Sequence, residues 1–134
     1  MVTQLGTHSG SNELNDVLQT MNLEGNFIIS ILTDSQGLSI ASAAGAGMDP
    51  DRQSAVVAFV QKTAAQAIKQ LGMAKTEEIS LYTEDGHHLV CRPFQIGENE
   101  LILSVIIPDR LTSYRRITRS AIHQIEKIWT HYWE

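Results

Sequence analysis

The sequence of 134 residues contains one cysteine, Cys91. A lone thiol cannot close an internal disulfide, so a bridge-stapled secreted fold is excluded and a reducing compartment is expected. Long apolar runs are also missing. Nothing approaches the roughly 18 consecutive apolar residues of a membrane-spanning helix; the stretch from Gln53 to Ile68 is interrupted by Gln53, Gln61, Lys62 and Gln66. The N-terminus is polar, with Thr3, Gln4, His8, Ser9 and Ser11, and lacks the charged-then-apolar order of an export signal. A cytoplasmic location is therefore expected. Charge is sparse at 19% of residues, somewhat below the average for soluble domains, which fits a chain that hides extra surface in an assembly. The net charge of −5 is uneven: residues 109–134 set Arg110, Arg115, Arg116, Arg119 and Lys127 against Asp109, Glu126 and Glu134, leaving the remainder acidic. An acidic body lacks the basic footprint of general nucleic-acid binding.

Chemical motifs are equally scarce. Gly45-Ala46-Gly47 precedes a helix start, but Asp49 and Asp51 place negative charge where a phosphate would sit, and no Gly-Lys-Ser/Thr follows. His87 and His88 are adjacent in a strand and point to opposite faces. With no cysteine or carboxylate at ligand spacing they read as surface histidines, and no metal is expected. Cys91 reads as an inert buried thiol. No Ser/His/Asp or Cys/His signature is present. The sequence thus points away from an enzyme and calls for no cofactor.

What is present is a clear succession of elements in a chain of one-domain length. Residues 1–10 read as a flexible arm. Ser11 or Asn12 caps a first helix whose stripe is Leu14, Val17, Leu18 and Met21. Strand one, Phe27–Thr33, is apolar on both faces and so central. Asp34-Ser35-Gln36-Gly37 suits a type I turn. Strand two, Leu38–Ser42, alternates as an edge does. Asp49 and Pro50 open a second helix that runs to Leu71, where Gly72 closes it. Strand three, Ile79–Thr83, is another edge; Asp85-Gly86 turns the chain into strand four, His88–Ile96. Strand five, Leu101–Ile107, is again apolar on both faces. A final helix spans roughly Thr112 to Tyr132, with a stripe of Tyr114, Ile117, Ala121, Ile125, Ile128 and Tyr132. The two doubly buried strands belong side by side, which gives an α/β (α+β) fold. It is a three-layer sandwich around a five-stranded sheet of order 2-1-5-4-3, helices on both faces. The expected division is an arm at 1–10, a domain at 11–108 and a C-terminal amphipathic helix at 109–134.

The second helix carries the functional argument. Between Gln53 and Ile68 its only ionised side chain is Lys62. A surface helix keeps one charged, solvated face, and a helix without one must be covered on more than one side. Ala55, Ala58 and Ala65 allow close approach, Phe59 supplies an anchor, and Lys62 lies on the same helix. Ile79, Ser80, Leu81 and Tyr82 offer an unpaired strand edge. These residues are the expected interface with a twin subunit. In the last helix, Arg115, Arg116 and Arg119 sit against the helix dipole; they form either a solvated charged face or a docking site for an acidic partner. Trp129, Tyr132 and Trp133 are core packing, a protein-docking stripe or an interfacial membrane contact.

The stretch from Gly25 to Ser42, with its glycine, apolar strand, Asp34-x-x-Gly37-Leu38 and small-residue strand, resembles the Roadblock/LC7 family signature. Asp49, the Ala-rich second helix and the late Leu101–Ile107 strand extend the resemblance over about residues 12–107. It implies a non-enzymatic scaffold that dimerises through its second helix and third strand, giving one continuous sheet. It also implies a small Ras-like GTPase as partner, as in bacterial MglB-type members. The C-terminal helix departs from the usual core. Two other readings remain: a structural dimerisation adaptor without a GTPase, and a PAS-like or profilin-like small-molecule sensor, which needs an apolar cavity with convergent polar groups.

Overall fold

The structure, a computed structural model, describes residues 2–134, with side chains from Ser9 onward. Along the chain run α1 (Val2–Gly25), β1 (Ile29–Asp34), β2 (Ser39–Ala44), α2 (Pro50–Gln70), β3 (Ile79–Tyr82), β4 (His88–Ile96), β5 (Asn99–Ile107) and α3 (Arg115–Trp133). The strands form one sheet in the order β2-β1-β5-β4-β3, and every neighbouring pair is antiparallel. This is the predicted order. Its cause is visible in burial: Ile29, Ser30, Ile31 and Leu32 of β1 and Leu101 to Val105 of β5 are shut off from water, so these strands need cover on both faces and take the centre.

The two faces are covered unequally. α1 and α3 lie together on one face. Leu14, Leu18 and Met21 from α1 and Ile117, Ala121 and Ile125 from α3 meet Leu32, Val90, Leu103 and Val105 in the main core. Polar stitches fix α1 to the sheet margin: the Asn22 side-chain amide donates to the Ala43 carbonyl at 3.0 Å, and the Ser42 N–H donates to Asn15 Oδ1 at 3.1 Å. On the opposite face α2 packs over β1 and β2. There the core cluster is Val57, Cys91 and Ile102, with Ile79 and Leu89 partly buried beside it.

Most strand ends differ from the sequence expectation by one or two residues, and three boundaries differ for a visible physical reason. α1 begins at Val2, not at Ser11 or Asn12, so residues 2–10 are helical where an arm was expected. Gly10 is buried beneath α3, and a Cβ there would lie 2.6 Å from the Trp133 ring; a close helix crossing, invisible in a polar stretch, holds this turn. α3 begins at Arg115, not Thr112. Asp109 Oδ1 collects the N–H groups of Leu111 (2.9 Å) and Thr112 (2.8 Å) and the Thr112 hydroxyl (2.9 Å), winding 109–112 into a turn. The Thr112 hydroxyl, followed by the two N–H groups, holds the Asp109 carboxyl below the usual carboxylate range. β2 begins at Ser39, and its inward residues are Ala41 and Ala43, while Leu38 is exposed. The register shifts between Leu32 and Thr33; such a bulge resets which side chains face inward.

The α2 signals read as predicted. Asp49 caps the helix by accepting from Asp51 N–H (3.1 Å) and Arg52 N–H (3.3 Å), with Pro50 in the first turn. At the far end the Met73 N–H reaches the Ile68 carbonyl at 2.9 Å. The Asp34–Gly37 turn docks against this helix. Asp34 Oδ1 accepts from the Gln36 and Leu38 N–H groups, each at 2.9 Å. Gly37 adopts a φ of +90°, and a Cβ on it would stand 2.6 Å from the Ala58 Cβ.

Candidate functional site

α2 has an inward and an outward face. Gln53, Ser54, Val57 and Ala58 are its buried residues. Ala58 therefore spends its surface on the turn at Gly37 within its own chain, which corrects its expected place in a subunit interface. Ala55, Phe59, Lys62 and Ala65 are exposed. Phe59 is 71% exposed and Val56 47%, large apolar surface on a helix that has no charged face to justify it.

Beside this helix the sheet is also open. β3 pairs with β4 on one side and with nothing among the described residues on the other. Ile79 packs beside Cys91 on the α2 face; Leu81 shares that face by alternation and is 47% exposed. Ser80 and Tyr82 point to the α3 face. The sheet face that carries α2 thus bears the exposed Phe59 on the helix and Ile79 and Leu81 on β3, whose outer edge has unpaired backbone groups among the described residues. A shallow, largely apolar hollow of about 340 Å3 lies at the start of α2, walled by Met48, Gln53, Val56, Leu89 and Ile106. Gln53 donates to Ser104 Oγ at 3.4 Å, and its carbonyl oxygen has no partner among the described residues.

The α3 residues divide. Arg115, Arg116 and Arg119 are exposed; Arg115 approaches Glu78 at 3.7 Å and Arg116 approaches Glu24 at 3.5 Å. Trp129 and Trp133 pack against the main core beside α1 with their rings 4.9 Å apart. Both rings are half-buried, so each spends part of its surface on the core.

Sequence reasoning missed a partly buried polar lock that ties the approach to β3, with β4, to the start of α3. Glu78 accepts from the Tyr114 hydroxyl at 2.6 Å and the Ser80 hydroxyl at 3.0 Å. Arg92 donates to the Arg115 carbonyl at 3.2 Å and to Thr118 Oγ1 at 2.6 Å. His88, expected at the surface, is 2% exposed. Its ring stacks on Tyr82 (centroids 3.9 Å apart), its partner across the β3–β4 hairpin, and meets the edge of Tyr114 at 5.2 Å; Tyr114 lies 26 residues away on the approach to α3, and that cover left no local signal. His87 remains outside, 3.3 Å from Asp85.

Burial is the main force pushing the His88 imidazole below its ordinary value; Glu78 offsets part of this, and Arg110 and Arg115 add to it. A histidine whose folded value is depressed adds its full share of stability above the unfolded value of about 6.5 and loses it as pH falls through the folded value. The urea midpoint of the native protein is therefore expected to fall from about pH 7.5 to about pH 5.5 more than that of His88→Phe, which keeps the ring stack without a titrating group. Equal falls in both proteins would remove His88 from the acid response. Burial pushes the Cys91 thiol up to about 12, so it stays protonated and unreactive near neutrality. Among the described residues, no group of three or more His, Cys, Asp or Glu side chains is placed to hold a metal ion. No helix of the described residues is long and apolar enough to cross a membrane.

Known structures share this architecture. Myxococcus xanthus MglB is 20% identical, covers 92% of each chain and superposes with a TM-score of 0.76. A structure described as MglB with tetrameric arrangement is 17% identical over 92% of each chain, with a TM-score of 0.74. The Roadblock/LC7 domain from Streptomyces avermitilis is 10% identical over 87% of this chain and 95% of its own, with a TM-score of 0.70. No protein-family model and no curated protein matches the sequence. The chain has the Roadblock/LC7 fold.

Proposed function

We propose that the protein is a non-enzymatic cytoplasmic scaffold that forms a homodimer through α2 and β3 and, in that form, binds and regulates a small Ras-like GTPase. The observation that carries self-association is the uncovered apolar side formed by Val56, Phe59 and Leu81 beside an unpaired strand edge. Apolar surface and free backbone groups on one side favour a partner that supplies both. A stable dimer buries on the order of 1,200–2,000 Å2 in total, which a helix and an edge strand from each chain can provide. The tetrameric MglB arrangement is a precedent for self-association on this fold.

The GTPase follows from the Gly25–Ser42 signature together with the fold shared with MglB. Regulation of hydrolysis would work by repositioning groups of the GTPase itself, since none of the arginines lies in a recognisable finger motif. Capture from a lysate of the native host, with the immobilised full chain and either a GTP analogue or GDP present, tests this. A Ras-like GTPase retained with the GTP analogue and released with GDP is the expected result. Retention independent of nucleotide would reduce the protein to an adaptor, and recovery of no GTPase would end this reading.

A further inference from the structure

A basic groove of about 490 Å3 opens where the segment before β3 meets the start of α3. Arg92, Arg115, Arg119 and Lys75 contribute positive charge; Glu77 and Glu78 oppose it. Glu78 is already occupied by Tyr114 and Ser80 and lies near Arg92 and Arg115. Lys75 leans 3.7 Å from Glu100. Arg119 is exposed and has no ion-pair partner among the described residues. The hydroxyl of Thr76, also in the lining, is shielded from water and has no hydrogen-bond partner among the described residues. The groove therefore holds unspent donors in a protein whose net charge is −5.

An acidic counterpart lies elsewhere on the same chain. In the β3–β4 turn, the Asp85 carboxylate is taken by Thr83 and His87. Glu84 beside it is exposed and enters no hydrogen bond or ion pair among the described residues. The symmetry of an edge-to-edge dimer decides where this carboxylate goes. Two β3 strands related by a two-fold axis normal to the sheet run antiparallel. Residues opposed in an antiparallel pair share a face. The axis must then pass through a residue, Ser80 or Leu81, because an axis between them would oppose residues of different faces. Centring on Leu81 sets Glu84 against the partner's Glu78, and like charges directly opposed are destabilising. Centring on Ser80 opposes Leu81 to the partner's Ile79, twice over, and carries the turn bearing Glu84 to the partner's Thr76, at the mouth of the arginine groove.

We infer that the groove is the receptor for the acidic β3–β4 turn of a second copy of this chain, with Glu84 of each subunit engaging Arg119 of the other beside Thr76 and fixing the strand register. The inference rests on the dimer proposed above, and it assigns Arg119, read from sequence as either solvated or facing an acidic partner, to the twin itself. The contact occurs twice per dimer and draws on solvent-exposed charges, so it is sensitive to salt.

Sedimentation equilibrium of the full chain separates the outcomes. Glu84→Arg and Arg119→Glu are each expected to raise the dimer Kd by about tenfold, since each replaces two attractions by two repulsions. The combined variant is expected to return to within about threefold of the native Kd by reversing both partners. Both residues are exposed, and circular dichroism verifies that the variants remain folded. If both single variants dimerise as the native chain does while Phe59→Glu dissociates, the charged contact is overturned and the dimer stands. A native chain that is monomeric at all concentrations overturns both.

Discussion

Phe59→Glu is expected to yield a folded monomer. In the single chain Phe59 projects from α2 and is 71% exposed, so its own fold does not depend on it. Burial against a twin contributes about 1.5–3 kcal/mol for each such side chain, and a two-fold interface loses it twice. A total near 3 kcal/mol or more corresponds to a rise in Kd on the order of 100-fold, before any cost of confining two carboxylates. Sedimentation velocity at micromolar concentration reads the change, and an unaltered far-UV spectrum shows that the chain is intact. A Phe59→Glu protein that sediments like the native one would remove the uncovered face as the seat of association. Ala58→Glu is no substitute for this test. Ala58 is 9% exposed and faces the Gly37 turn, so a carboxylate there is buried within its own subunit and damages the fold first.

Gly37→Ala is expected to lower stability by about 2–5 kcal/mol. Two independent penalties combine. A φ of +90° is a left-handed conformation that costs a residue bearing a Cβ about 1–2 kcal/mol. The new methyl would also fall 2.6 Å from the Ala58 Cβ, and overpacking a tight contact costs about 1–3 kcal/mol. For a domain of this length the melting temperature should drop on the order of 10 °C. The two terms separate in a double-mutant cycle. Adding Ala58→Gly removes the clash and leaves the backbone term, so the pair should be less destabilised than the sum of the two single variants by the size of the clash. Strict additivity would mean that the turn shifts away from α2 and that the contact carries no energy.

The same α2 shows how far the sequence reading reached. Strand order was legible because β1 and β5 lack a polar face, and only the centre of a two-sided sheet accepts such strands. The limits of α2 were legible because Asp49 and Pro50 are local signals that act on neighbouring backbone groups. That α2 has surface to spare was legible from its missing charges. Which of its residues face outward was not. Gln53 and Ser54 occupy the inward face beside Val57, so the apolar period that separates inside from outside has little contrast, and Ala58 was assigned to the wrong side. His88 and Arg92 were hidden for a different reason. Their cover comes from Tyr114 and Thr118, which only the packing of α3 on the sheet brings near, and a strand pattern carries no record of contacts made across elements.

The lopsided division of the interior has a consequence for how assemblies change hands. The larger of the two buried apolar clusters lies beneath α1 and α3, on the sheet face opposite the α2 side proposed to meet a twin. If the proposed dimer forms, separation should leave each half intact and ready to recombine, with subunit concentration setting the paired fraction by mass action. Mixed with a differently labelled batch of itself, the protein should trade subunits without unfolding.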